Sequence, residues 1–268
     1  MNDAVLAAAK LLAAAGIDSA RLDARLLFQN TLGDSAAFDA AIARRAGRES
    51  VAAITGHKEF WSMDFEVGPG VLIPRPDTET LIEQALVLYP DRNAPLRIAD
   101  LGTGSGAILL AALTEFPNAT GIGFESSPQA HGYAARNAAR HVAGRADIRL
   151  ADWDAATGPF DLVFSNPPYI PAAEIDALQP EVRNHEPHAA LDGGADGLEA
   201  YRSLARLLPS ILAPGGHALL EIGAGQAPAM ELLFPGLELG RIAPDLAGIP
   251  RCIVLKARNS LGNQGAIR

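Results

Sequence analysis

The sequence predicts an α/β protein: a doubly wound, mostly parallel sheet of seven strands, preceded by a small helical domain and a β-hairpin linker. Three observations predict it. Apolar residues recur with helical spacing over roughly the first 57 residues and then switch to strand-like alternation. From Leu96 onward, short apolar runs alternate with helical segments, the pattern of a parallel sheet covered on both faces. A length of 268 residues, 49% apolar and 20% charged, is enough for about two soluble globular domains.

Residues 1–57 read as the helical domain. A first helix over 5–15 ends at Gly16. Asp18 and Ser19 offer caps for a second, whose Leu22, Leu26 and Leu27 share a face and which stops before Gly33. A third covers 35–45 and ends at Gly47, and a last turn runs from Glu49 to Gly56. Residues 58–76 form the linker. Alternation from Trp61 to Val67 predicts one strand, Gly68-Pro69-Gly70 a turn and 71–73 a second strand, so the segment reads as a hairpin. Pro74-Arg75-Pro76 is stiff and extended, and Asp77 or Thr78 caps a helix reaching about Tyr89. Residues 77–258 form the larger domain, with strands predicted at 96–101, 120–124, 148–150, 162–165, 217–222, 237–242 and 252–256. The polar tail, 259–268, reads as disordered.

Composition excludes some function classes. The net charge of −9 is opposite in sign to that of a protein that coats nucleic acid. Seven basic and seven acidic residues balance up to Phe60, so the acidity lies in the remainder. A lone cysteine, Cys252, makes no internal disulfide and fits a reducing compartment. No apolar run reaches the ~18 residues of a membrane span. Asp3 and Lys10 argue for an amphipathic helix over a signal peptide. The expectation is a cytoplasmic protein without direct nucleic-acid or membrane contact. Six scattered histidines show no metal-ligand spacing. His185 and His188 are three apart, but Pro187 between them spoils a helical pair.

The chemistry lies at strand ends. Ile98-Ala99-Asp100-Leu101 is a strand followed at once by Gly102-Thr103-Gly104-Ser105-Gly106 and a helix from about Ala107. Such a loop lets backbone approach a ligand and aims free N–H groups at it, although a glycine cluster alone can be only a tight turn. Glu125 ends the next strand, where a carboxylate can accept the ribose hydroxyls of an adenosine or simply cap the following helix. Asn166-Pro167-Pro168-Tyr169 ends the strand at 161–165. Asn166 and the proline carbonyls supply hydrogen-bond acceptors and Tyr169 a flat face, a combination that grips a planar amino group. Alone, the tetrapeptide is equally a rigid turn. Glu221 ends another strand and reads as an ordinary strand-end acid.

Asp100 to Gly106 together with Asn166 to Tyr169 resembles an amino-group methyltransferase that uses S-adenosylmethionine (SAM). Gly56 to Trp61, Ile73 to Glu79, Glu186-Pro187, Leu191, Asp196-Gly197-Leu198 and Tyr201 resemble the peptide chain release factor N5-glutamine methyltransferases, over nearly the whole chain. The resemblance implies a class I SAM methyltransferase-like, Rossmann-like sheet. It implies that Gly102, Thr103, Gly104, Ser105 and Gly106 wrap SAM, that Asn166 also contacts SAM, and that Glu125 holds the ribose, where the family more often has aspartate. It also places Trp153 of the Asp152-Trp153 pair against the adenine, a position where a lone Trp otherwise reads as core. Asn166, Pro167, Pro168 and Tyr169 would bind the glutamine amide of a release factor's Gly-Gly-Gln loop, with Asn166, Pro167 and Tyr169 serving a direct in-line methyl transfer and no metal. The helical domain would recognise the protein substrate. The alternatives are an adenine-N6-type nucleic-acid methyltransferase using the same tetrad on a flipped base, a non-catalytic adenosine-binding module, and a dehydrogenase.

Overall fold

The computed structural model describes residues 3–258; the tail assigned to 259–268 lies outside the described residues. Four helices open the chain: α1 (Asp3–Ala14), α2 (Ala20–Asn30), α3 (Ser35–Ala46) and α4 (Val51–Thr55). They enclose a core of their own around Leu12, Leu27, Phe38 and Ile42. Asp34 and Ser50 cap α3 and α4 by accepting the N–H groups of Ala37 and Ala53. Two expectations need correction. Ser19 stands at the N-cap of α2 without a side-chain cap bond. The buried face of α2 is Ala20, Asp23, Ala24 and Leu27, whereas Leu22 and Leu26 are exposed. Buried Arg45 decides the face: its Nε donates to Asp23 Oδ2 at 2.8 Å, so the helix turns a carboxylate inward and two leucines out.

The hairpin exists with a different turn. Strands β1 (His57–Phe60) and β2 (Met63–Glu66) pair antiparallel, with Phe60 opposite Met63. The turn is Trp61-Ser62, both at positive φ (51° and 56°), the primed geometry that matches strand twist. Its amides are satisfied by side chains: Trp61 N–H donates to Glu79 and Ser62 N–H to Glu59. Gly68-Pro69-Gly70 therefore does not join two strands, and Val71 and Ile73 are buried in the core outside any strand. A 3₁₀ turn, Pro76–Thr78, leads into α5 (Glu79–Leu88); Thr78 occupies its N-cap but makes no cap bond.

The remaining strands form one sheet: β3 (Arg97–Leu101), β4 (Thr120–Glu125), β5 (Ala146–Leu150), β6 (Phe160–Ser165), β7 (Leu212–Glu221), β8 (Leu237–Pro244) and β9 (Pro250–Ala257). Their order is β5-β4-β3-β6-β7-β9-β8, parallel except where β9 pairs antiparallel with β7 and β8. Both faces are buried over the central strands, whereas the edge strands β5 and β8 are largely exposed. Ile98, Leu162 and Phe164 face the layer of α5, α6 (Ala107–Glu115) and α7 (Pro128–His141). Ala99, Leu101 and Val163 face α9 (Glu199–Ile211) and α10 (Ala227–Leu233). The chain runs outward from β3 through β4 to β5, then returns to β6 on the other side of β3. That reversal opens a crevice at the carboxyl ends of β3 and β6, where ligands bind in open α/β sheets.

Candidate active site

A cavity of about 340 Å³ fills that crevice. Gly102, Thr103, Gly104 and Ser105 from the β3–α6 loop, Glu125 from β4 and Trp153 beyond β5 line one part of it. Asn166 and Pro168 beyond β6 line another. Ser165 Oγ donates to the Leu101 carbonyl at 2.7 Å and so ties the starts of the two loops together. Pro167 is buried, Gly106 turns the chain into α6, and the Tyr169 hydroxyl points to Glu221; these three residues are not among those lining the cavity.

The glycine loop must be glycine where it meets the cavity. Gly102 and Gly104 have φ of 75° and 58°, and a Cβ on Gly104 would have nothing within 4 Å, so the loop leaves open space above its backbone. Glu125 is buried and fully oriented: Gly104 N–H donates to Oε2 at 2.9 Å and Ser127 N–H to Oε1 at 2.8 Å. A carboxylate has about four lone-pair directions, so two stay open to hydroxyls. Beneath the loop, burial pushes the Asp100 carboxyl up to about 7. Its Oδ2 accepts Thr103 Oγ1 at 2.6 Å, while its buried Oδ1 has no partner.

The Asn-Pro-Pro-Tyr loop is clamped from behind. Tyr169 Oη donates to Glu221 Oε1 at 3.1 Å. Gln226 Nε2 donates to the Tyr169 carbonyl at 2.9 Å, and Gln226 Oε1 accepts the Gly223 N–H. Gly193 N–H donates to the Ile170 carbonyl, and a Cβ on Gly197 would fall 2.4 Å from the Tyr169 oxygen. Glu221 is therefore no ordinary strand-end acid: it is buried, and burial raises its proton affinity, opposed by Thr78, Arg251 and Tyr169.

The sequence reading did not anticipate the second wall of the cavity: Gly70 to Arg75, Thr78, Pro187, Ala189 and Ala190. Arg75 reaches from this wall to buried Glu186, whose proton affinity burial raises against the pull of Arg75. The signals were present in Pro74-Arg75-Pro76 and Glu186-Pro187, distant in sequence but without any local feature to pair them. Among the described residues, no cluster of three or more His, Cys, Asp or Glu could hold a metal ion, and no helix is long and apolar enough to cross a membrane.

Comparison with known proteins agrees with this geometry. A family model described as a methyltransferase domain matches residues 93–224. The release factor glutamine methyltransferase of Rhodospirillum rubrum is 46% identical over 91% of this chain and 81% of its own. That of Cereibacter sphaeroides is 45% identical over 94% and 96%. A methyltransferase structure from Pyrococcus furiosus, 20% identical over 82% of this chain and 98% of its own, superposes with a TM-score of 0.53 and shares the fold. The sheet is the class I SAM-dependent methyltransferase fold, and the chain belongs to the release factor glutamine methyltransferase family.

Proposed function

We propose that the protein transfers a methyl group from SAM to the side-chain amide nitrogen (N5) of the glutamine in the Gly-Gly-Gln motif of peptide chain release factors. The observation that carries this reading is the meeting of Asn166 with the Gly102–Ser105 loop and Glu125 on one cavity, in a chain nearly half identical to the family's members over almost its full length.

The residues present fit SAM. Open space above Gly104 admits a ligand against the backbone, Glu125 has two acceptor positions left for ribose hydroxyls, and Trp153 offers a flat apolar wall to an adenine. Bound there, SAM supplies a strongly electrophilic methyl group on a sulfonium. An amide nitrogen is a poor nucleophile because its lone pair is delocalised, so the protein's task is orientation. Asn166 Oδ1 and the Pro167 carbonyl would accept the two N–H bonds of the glutamine amide and turn its nitrogen toward the donor. Pro168 would close over the amide, and Tyr169, held by Glu221 and Gln226, would fix the loop. Holding two reactants in register can supply several powers of ten in rate. The helical region, residues 1–57, would recognise the protein substrate; it carries no net charge up to Phe60.

The test is transfer of labelled methyl from SAM to a purified release factor, beside the same factor with its Gly-Gly-Gln glutamine changed to alanine. Label in the first and none in the second is expected. Equal labelling of both, or labelling of duplex DNA in place of either, would refute the reading.

A further inference from the structure

We propose that Arg75 seats the carboxylate of the SAM methionine moiety, and that Glu186 sets Arg75 for that task. The pair separates SAM, and the S-adenosylhomocysteine (SAH) left after transfer, from adenosine ligands that lack an amino-acid end. The inference rests on the reading of the cavity as the SAM site and adds a residue to it.

Three charged side chains line the cavity: Arg75, Glu125 and Asp152. The two acids stand at the adenosine end. Glu125 faces the ribose position, and Asp152 accepts the N–H of Trp153. Arg75 lies on the other wall. Its carbonyl accepts the Thr78 N–H at 3.2 Å, and Thr78 Oγ1 accepts Asn166 Nδ2 at 3.4 Å, so Arg75 stands one turn of chain from the amide grip. The sulfonium of SAM carries three substituents: the ribose, the methyl group and the amino-acid chain. With the ribose toward Glu125 and the methyl toward Asn166, the third arm is left to the 70–75 wall. That arm ends in a carboxylate. A carboxylate taken from water into a cavity whose other charges are acids is strongly disfavoured unless a cation meets it. Among the lining residues, Arg75 is the cation.

Arg75 is held in place yet left with donors to spare. It lies between Pro74 and Pro76, with φ of −104° and ψ of 146°, the extended backbone that a following proline imposes. The side chain therefore leaves a stiff stem. A guanidinium has five N–H donors in a rigid fork. Nη2 donates to Glu186 Oε1, and among the described residues no other acceptor takes the rest. The Arg75 side chain is 38% exposed and that of Glu186 5%, so the open end of the pair is the cation. Arg45 shows in the same molecule that one guanidinium can serve two carboxylates. Its Nε donates to Asp23 Oδ2 at 2.8 Å and its Nη1 to Glu181 Oε1 at 2.9 Å. Arg75 has one such partner, and the SAM carboxylate supplies the second.

Glu186 belongs to the segment whose Pro187, Ala189 and Ala190 wall the cavity. Arg75 and Glu186 are 111 positions apart, so the fork is set only once that segment packs against the 70–75 wall. With the ribose at Glu125 and the carboxylate at Arg75, SAM is gripped at both sides of its sulfonium. Two fixed ends fix the direction of the third substituent, the methyl group, toward Asn166. Arg75 is thus a donor-binding residue and has no part in holding the acceptor amide.

The experiment measures binding by calorimetry for wild type, Arg75→Gln, Arg75→Lys and Glu186→Gln. Two ligands are compared: SAH, and S-adenosyl-3-thiopropylamine, which is SAH without its carboxylate. Wild type should bind SAH the more tightly. Arg75→Gln should weaken SAH about tenfold or more, the scale of one lost charge-assisted pair, and change the amine ligand by no more than about twofold. Arg75→Lys keeps the charge without the fork and should lose less, again with SAH alone. Glu186→Gln leaves the guanidinium less firmly held and should also weaken SAH selectively. If Arg75→Gln does not fold, Arg75→Lys carries the same expectation. Equal losses for the two ligands would make the pair a strut that only shapes the cavity, and would overturn the proposal. An SAH affinity that Arg75→Gln leaves intact would overturn it too. A wild type that binds neither ligand would instead refute the reading of the cavity as the SAM site.

Discussion

At the scale of single residues, the site is governed by where buried polar atoms find partners. Asp100 shows the cost of leaving one without. Its ordinary value of 3.8 is raised to about 7, mainly by burial. A raised acid binds its proton more tightly folded than unfolded, so its contribution to stability is complete below about 4 and is lost as pH rises through about 7. Asp100→Asn, which stays neutral throughout, should therefore gain on wild type in melting temperature between pH 5 and pH 8; a constant difference would contradict this. Little of this was legible in the sequence. The glycine loop, Glu125 and the Asn-Pro-Pro-Tyr tetrad could be read because their chemistry is local. Thr78, Arg75, Glu186 and Gln226 could not, because each acts through a partner 88, 111, 111 or 57 positions away.

At the scale of elements, short apolar runs were a good guide to the strands of the sheet, edge strands included. All seven sheet strands fall where apolar runs predict them, with edges shifted by a few residues. Periodicity failed where a polar group takes a core position. The α2 face was read from its leucines, but Asp23 is drawn inward by Arg45, so Leu22 and Leu26 remain outside. Leu27→Ala should cost about 2–4 kcal/mol in denaturant unfolding, whereas Leu22→Ala should stay within about 0.5 kcal/mol. Equal losses would restore the leucine face. The hairpin turn was missed for a related reason: Trp61 and Ser62 carry no turn signature, and their left-handed backbone is maintained by Glu79 and Glu59 from outside the turn. On the same scale, the segment from Leu191 to Tyr201 acquires a purpose as the clamp of the tetrad. Gly197→Ala, with φ of 73° and a 2.4 Å clash with the Tyr169 carbonyl, should reduce kcat and stability together. A fully active, fully stable variant would contradict that role.

At the scale of the whole molecule, the helical region and the catalytic sheet are joined through the segment that follows the tetrad. Glu181, on α8 (Pro180–His185), accepts from Arg45 at 2.9 Å and from Arg48 at 2.8 Å, while His185 meets the Gly47 carbonyl. Five residues further on, Glu186 holds Arg75, and Pro187 to Ala190 wall the cavity. A protein bound on the helices would thus be coupled to the acceptor end by one short stretch of chain. Glu181→Ala leaves Arg45 buried with one partner fewer, and should destabilise by about 1–3 kcal/mol. It should also raise KM for the release factor while leaving SAM affinity unchanged; parallel loss of SAM binding would place the coupling elsewhere. The acidity of the chain lies outside the first sixty residues, so a protein docking on the helices as proposed would meet a surface without net charge.

The central claim is that one cavity holds two separable grips, a SAM cradle at Gly102–Ser105, Glu125 and Trp153 and an amide grip at Asn166. The most direct measurement pairs SAM affinity by calorimetry with kcat on a release factor for Asn166→Ala. The account predicts a kcat reduced about a hundredfold or more, with the SAM dissociation constant within about threefold of wild type. Loss of SAM binding in proportion to the loss of activity would contradict it, and would return Asn166 to the cradle.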